Sequence, residues 1–280
     1  SKINIVLFVG VVVLVLSFRS SESLASAYGI SVTGAMAIDT LLAAYVMTMI
    51  RGWSKALFLP LFAALFMIDI GFLGANLFKF FEGGWLPVAV ACFALVLMLA
   101  WISGRDRLLA ARWRNAVPIN DFLARLNVET VPRVPGTGIF LVPLDEIAPM
   151  ALLHNLKHNK VLHERVLLMR TQVEAMPYVP DLERVEVRHL THNFHQVVVR
   201  YGFMEEPNIP RALALLRARE FHFSLLEISF FVGKEKVVSR GAASWFLGLF
   251  ILMHRMMLGA TEYFKIPTDH AVELGGHVEI

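Results

Sequence analysis

The 280-residue chain is predicted to be an α-helical membrane protein followed by a mixed α/β domain. Three observations predict this. The composition is 56% hydrophobic and 18% charged, with a mean hydropathy of +0.60, whereas a soluble domain is about half apolar and a quarter charged. The apolar excess is concentrated in the first hundred or so residues, as long runs. Beyond residue 131 the pattern changes to strands alternating with helices.

The first run, 3–18, is apolar except for Asn4, Gly10 and Ser17. It is short for a bilayer span, so it is expected to continue through the polar stretch that follows or to begin upstream. That stretch, FRSSESLASAYGISVTG, carries Arg19, Glu22, five serines and a threonine. Ala25, Gly29, Thr33 and Ala37 recur at every fourth position, which suggests one ridge of a helix. Small residues let membrane helices approach closely, because lipid supplies no hydrophobic drive for them to associate. The polar residues need protein or water around them. The stretch therefore reads as part of a packed bundle and not as a simple anchor.

Four spans are expected, at 3–26, 28–50, 56–81 and 85–103, within a transmembrane region 1–104. Each of the last three can cross a core of about 30 Å. With four spans, one side of the membrane holds Lys2, Arg51, Lys55, Arg105, Arg107, Arg112 and Arg114. The other holds Arg19 and Lys79, near Glu22 and Glu82. The positive-inside rule makes the first side cytoplasmic, and Trp53, Trp85, Trp101 and Trp113 fall near the proposed boundaries, as an interfacial belt requires. The segment 105–130 reads as a basic membrane-surface linker, and 131–280 as a cytoplasmic α/β domain.

Two carboxylates lie well inside spans, Asp39 and Asp69. A charge at mid-membrane costs roughly 3 kcal/mol on insertion scales unless it is paired, protonated or wetted. Both are therefore candidates for a proton relay or a cation ligand. The plainer reading is a carboxyl hydrogen-bonded to a neighbouring helix. Asp39 shares a ridge with Ser31, Ala35 and Ala43 and is expected to face protein; Asp69 precedes Gly71 and Gly74.

In the α/β domain, 131–138 with Pro132, Pro135, Gly136 and Gly138 reads as linker and turn. Strands are expected at 139–142, 164–173, 184–190, 194–201, 225–232 and 271–280. Helices are expected at 149–159, 210–219 and 242–263, with a short amphipathic one at 119–126. The run WFLGLFILM (245–253) is too short for a fifth span before His254 and Arg255, so it reads as a helix packed on the sheet or lying against the membrane.

His154 and His158 are one helical turn apart, a metal-binding spacing. No carboxylate or cysteine completes the set, so no metal site is expected there or around His189, His192 and His195. Gly136-Thr137-Gly138 and Gly233-Lys234 lack the spacing of a phosphate loop and read as turns. Nothing resembles a nucleophile, base and acid in one arrangement, so the chain does not read as an enzyme, and no cofactor is expected. The net charge of +3 gives no reason to expect nucleic acid. The single cysteine, Cys92, cannot form an internal disulfide, which is compatible with a reducing compartment. The run 3–18 followed by Ala25-Ser26-Ala27 imitates a secretory leader, but its basic region is only Lys2 and further spans follow. The chain lacks an initiator Met and reads as a piece of a longer protein.

FRSSESLASAYGISVTGAM, LLHNLKHNKVLHERV, FFVGKE and the ending YFKIPTDHAVELGGHVEI together resemble the KUP/HAK/KT family of potassium uptake transporters. The resemblance covers essentially the whole chain, and AYGISVTG and HNLKHNKVLHE are its most specific parts. It implies the C-terminal half of a bacterial low-affinity member of twelve helices, ten of them in an inverted-repeat arrangement, with the four spans as the last four transmembrane helices. The implied activity is potassium import coupled to protons at the inner membrane; separately, a sheet domain beside the membrane is expected to serve a regulatory or homodimer-forming role. The family's ion-binding groups lie in upstream helices absent from this chain, so no ligand carries over and Asp39 and Asp69 stay unassigned. Two other readings remain: a membrane-anchored regulatory or interaction module, and a permease of the same superfamily for another substrate such as an amino acid.

Overall fold

A computed structural model describes residues 2–18, 20–114, 116–126, 131–143, 146–191, 193–219, 227–239 and 244–280. The chain divides into two compact units, Ser1–Leu99 and Ala100–Ile280.

The first unit is helical. Helix α1 spans Lys2–Phe18, α2 spans Ser21–Tyr45 and continues as a π-helical turn over Val46–Ile50, and α3 spans Lys55–Leu77. Helix α4, Trp85–Arg114, begins in this unit and ends in the second. Among the described residues, three helices are long and apolar enough to cross a membrane: Ser21–Ile50, Lys55–Leu77 and Trp85–Arg114. Four spans were expected, and α1 is a shorter apolar helix of 17 residues.

The expected span 3–26 is two helices. Ser20 is extended, at φ −131° and ψ 141°, and its side chain accepts a hydrogen bond from the Ser23 amide. A serine in that role starts a helix by satisfying one of its free amides. The serine-rich stretch thus opens α2 and does not lengthen α1. The third helix stops at Leu77, short of the expected 81, with a separate 3-10 turn at Phe80–Glu82. The fourth runs on to Arg114, beyond the expected 103.

The expected small-residue ridge also shifts. The buried residues of α2 are Ser26, Ala27, Ile30, Thr33 and Ala37, while Ala25 is exposed. Four residues turn a helix by about 400°, so a strict four-residue repeat drifts around the surface, whereas steps of three and four keep one face. Thr33 and Ala37 belong to both patterns.

The second unit is built on a six-stranded sheet of order β3-β4-β2-β1-β5-β6. Its strands are β1 (Arg133–Leu141), β2 (Leu162–Glu174), β3 (Val185–Thr191), β4 (Phe194–Gly202), β5 (Ile228–Val238) and β6 (Ala271–Glu279). All neighbours are parallel except the β3–β4 hairpin. Helices α5 (Ile119–Arg125), α6 (Met150–Asn159), α7 (Ile209–Arg219), α8 (Trp245–Arg255) and α9 (Ala260–Tyr263) complete it.

Successive strand residues point to opposite faces, and both faces are covered. Ile139, Leu167, Met169, Val197 and Val199 pack with Ile209, Ala212, Leu213 and Leu216 of α7. Phe140, Val166, Leu168, Phe194 and Phe231 pack with Leu152 of α6 and Ile119 and Leu123 of α5. The rings of Phe140 and Phe231 stack 4.5 Å apart on neighbouring strands.

The segment 131–138, expected to be linker and turn, is corrected by the structure: β1 begins at Arg133. A proline in a central strand is tolerated at a bulge, and the register of β1 on β2 shifts between Val134 and Thr137. Gly136 provides that bulge at φ +99°, where a Cβ would sit 2.5 Å from the Glu227 carbonyl oxygen. The expected helix 242–263 is likewise shorter and broken. Residues 240–243 lie outside the described residues, α8 ends at Arg255, and α9 starts after Gly259.

Candidate ion-handling site

Hydroxyl groups in a membrane helix need an acceptor that lipid cannot supply. Several in α2 and its π-helical extension find it in their own backbone. Ser26, Ser31, Thr33 and Thr48 donate to the carbonyls of Glu22, Ala27, Gly29 and Ala44, at 3.1, 2.8, 2.7 and 2.6 Å. These four-residue back-bonds leave the rest of each helix surface free to pack.

Thr40 differs. Its hydroxyl donates across the helix pair to Oδ2 of Asp69 on α3, at 2.6 Å. Asp69 is 6% exposed and is the buried residue of α3. Its neighbours Ile68 and Ile70 are exposed, so the chain aims this one carboxyl inward at α2. Two turns further along α3, Asn76 donates to the Phe72 carbonyl at 3.0 Å. Its Oδ1 abuts Gly29 of α2, where a Cβ would have no room. The pairs Gly29–Asn76 and Thr40–Asp69 show that α2 and α3 run antiparallel, with polar groups at both contacts.

An interhelical hydrogen bond in a membrane contributes about 0.6 kcal/mol on average, less than the roughly 3 kcal/mol an unpaired carboxylate costs at the centre. The Thr40 bond alone therefore does not offset the cost of burying Asp69 in hydrocarbon. A second partner for the remaining carboxylate oxygen would close the difference. Oxygen donors of this kind suit hard cations and protons, not soft metals.

Of the two carboxylates singled out from sequence, only Asp69 is placed at a helix contact. Asp39 is exposed, as are Ser31 and Ala35 on its ridge, and it does not meet Asp69 within the described residues. Thr40 was not singled out. Its signal is weak, because a threonine one residue beyond Asp39 is set about 100° around the helix from it, and only the packing shows which of the two faces α3.

Among the described residues no group of three histidines, cysteines or acids could hold a metal. The His154 and His158 rings lie 6.0 Å apart at right angles, and those of His189 and His195 4.9 Å apart; His192 lies outside the described residues. His163 packs edge-on to Phe231 with Nδ1 buried and unpartnered among the described residues, and burial pushes its pKa down, favouring the neutral ring. The two glycine motifs expected as turns are strand residues of β1 and β5, and Lys234 pairs with Glu273 on β6 at 3.0 Å.

Sequence reading missed a buried ion pair of the second unit. Arg184 is buried, and its Nη2 donates to Glu205 Oε1 at 2.7 Å and to the Val179 carbonyl at 2.6 Å. Glu205 Oε2 accepts from the amides of Gly202 and Val179. Arg184 above all, then these amides, pull the Glu205 carboxyl down to about 2 against the opposing effect of burial. The cluster ties the segment before β3 to the end of β4, a structural role.

The comparisons with known proteins fall on the same two-part division. Residues 1–106 match the K+ potassium transporter integral membrane domain, and residues 135–280 the K+ potassium transporter C-terminal domain. A protein of Rhizorhabdus wittichii named "Probable potassium transport system protein Kup 2" is 43% identical over 99% of this chain and 44% of its own length. Relatives named "Probable potassium transport system protein Kup" from Myxococcus xanthus and Caulobacter vibrioides are 44% and 39% identical, over 43% and 42% of their lengths. No solved structure matches the chain. The chain spans less than half the length of these curated relatives. With one family model over the helices and the other over the sheet, the chain belongs to the KUP/HAK/KT family of potassium transporters.

Proposed function

We propose that this chain is the C-terminal part of a secondary transporter that imports potassium across the bacterial inner membrane, by symport with protons. On this reading the helices of the first unit are the last four transmembrane helices of an inverted-repeat transporter, and the α/β unit lies in the cytoplasm. The observation that carries the reading is the ordered match of both family domains along the chain, joined to potassium transport by the printed names of the relatives. The excess of Lys and Arg on one side of the spans supports a cytoplasmic α/β unit.

Asp69 is the residue of this chain best suited to a part in ion handling. The buried Thr40–Asp69 contact supports a carboxyl whose hydrogen bonding adjusts the fit of α2 on α3, while the ion-binding groups proper belong upstream. The α/β unit is suited to a regulatory or dimer-forming role, since a rigid domain beside the membrane can bias which conformation a transporter populates.

The test is complementation. The chain, restored with its upstream half, should let potassium-uptake-deficient cells grow on low potassium. Growth on an organic substrate in its place would favour a permease of another specificity. In the same cells Asp69→Asn should slow potassium uptake by roughly tenfold or more, the scale of one hydrogen bond to a charged group, while Asp39→Asn should change it little. Wild-type uptake by Asp69→Asn at equal membrane abundance would remove Asp69 from the mechanism.

A further inference from the structure

Helix α8 has no polar side chain before His254 apart from the Trp245 indole: its sequence is WFLGLFILMHR. One side is packed. Leu247 and Phe250 are buried with Leu108 and Ala111 of α4, Val237 of β5 and Val278 of β6. The other side is bare, with Trp245 69% and Leu252 56% exposed, and Met256 and Leu258 just beyond the helix end are 78% and 62% exposed. A helix apolar all round is stable where both sides are covered, and a contiguous bare apolar face marks an interaction surface.

The position of α8 on α4 says what covers it. The Phe250 ring lies against Gly104 so closely that a Cβ there would overlap it, and its centroid is 5.5 Å from that of Trp101. Ile102 is the last large apolar residue of α4 before Arg105. At about 1.5 Å per residue, Gly104 lies about 3 Å beyond it along the axis. An 11-residue helix centred near Phe250 reaches about 8 Å either way. The layer in which interfacial helices lie is roughly 5–10 Å deep. The centre of α8 therefore falls at the level where α4 leaves the hydrocarbon.

The surrounding charge agrees. Arg105, Arg107 and Arg114 are exposed on this stretch of α4, and Arg255 is exposed at the end of α8. Cations beside an apolar face suit the anionic headgroups of a membrane surface.

We propose that α8 is an interfacial membrane helix, with Trp245 and Leu252, and Met256 at its C-terminal cap, set into the headgroup–acyl boundary. The α/β unit is then held to the bilayer by α8 as well as by α4. The proposal rests on α4 crossing the bilayer and on nothing else in the functional reading.

The test uses the full chain in nanodiscs of phosphatidylcholine and phosphatidylglycerol. In a Cys92→Ala background, single cysteines replace Leu252, Met256, Phe93 or Met204, and each carries an environment-sensitive fluorophore. Phe93 reports on α4, and Met204, 61% exposed after β4, reports on a water-facing loop. Labels at 252 and 256 should be quenched severalfold more strongly by doxyl lipid than the label at 204, and less by aqueous iodide. Iodide access equal to that at 204 would overturn the proposal, and so would shielding from both quenchers, which would mean that protein covers the face. Lack of lipid quenching at 93 would instead remove the premise that α4 spans.

Discussion

The two units bury opposite kinds of side chain. In the first, the buried side chains among the described residues are Ser26, Ala27, Ile30, Thr33, Ala37, Thr48 and Asp69, while Met67, Phe78 and Phe81 are 75%, 90% and 91% exposed. In the second, Phe140, Phe194, Leu152, Leu167 and Leu213 are at most 1% exposed, and large side chains fill both faces of the sheet. The difference follows from the solvent. Water drives large apolar groups together at about 25 cal/mol per Å², whereas lipid tails are as apolar as leucine and leave helix association to close packing and hydrogen bonds. A single chain thus follows two packing rules, and α4, which runs from one unit into the other, carries both.

Phe194→Ala should have the largest effect and sharpen the contrast. Phe194 is fully buried, and truncating such a residue costs roughly 3–5 kcal/mol in lost transfer energy and cavity. Removing the exposed Phe72 ring of α3 in detergent should cost far less. Denaturant unfolding that ranks Phe72→Ala as the more damaging would break the comparison.

Glu205→Ala should come next, on the order of 3 kcal/mol, because it strands a buried guanidinium. The value falls at the low end because Asp181 still accepts from Arg184 Nε at 3.0 Å. Glu205 titrates lower folded than unfolded, so its contribution is complete above its ordinary value of 4.5 and is lost as the pH falls toward about 2. Stability curves of wild type and variant should therefore converge between those values. Parallel curves across that window would exclude the ion pair as the cause.

Ala37→Leu should have the smallest effect, with the opposite dependence on size from the sheet core. Added methylenes in the α2–α3 contact should cost roughly 1–3 kcal/mol by overpacking, although they make the chain more apolar. Unchanged thermal stability in micelles would mean that the ridge does not set the helix spacing.

The sequence shows the elements more clearly than their ends. The strands β2, β3 and β4 and the helices α6 and α7 stand in the pattern within a few residues, because alternation and helical spacing are local. The β1 start at Arg133 was hidden, since Pro135 and Gly136 look like a turn until a neighbouring strand shows the bulge. The break before α2 was hidden in a run of serines, where only the geometry of Ser20 marks the first residue of the helix. Asp69 could be found as a carboxyl in an apolar run, but its partner Thr40 could not, because the choice between Asp39 and Thr40 rests on how α2 is rotated against α3.

By itself the sequence determined which stretches are long apolar runs and which alternate strand and helix, since hydropathy, charge and periodicity are sums over neighbouring residues. Family membership followed from the same linear information. The tertiary structure alone decided which residues meet across the chain: Thr40 with Asp69, Arg184 with Glu205, and α8 with the exit of α4. Those pairings are separated by tens of residues or more, or depend on a helix's rotation, and both are fixed only when packed faces exclude every other fit.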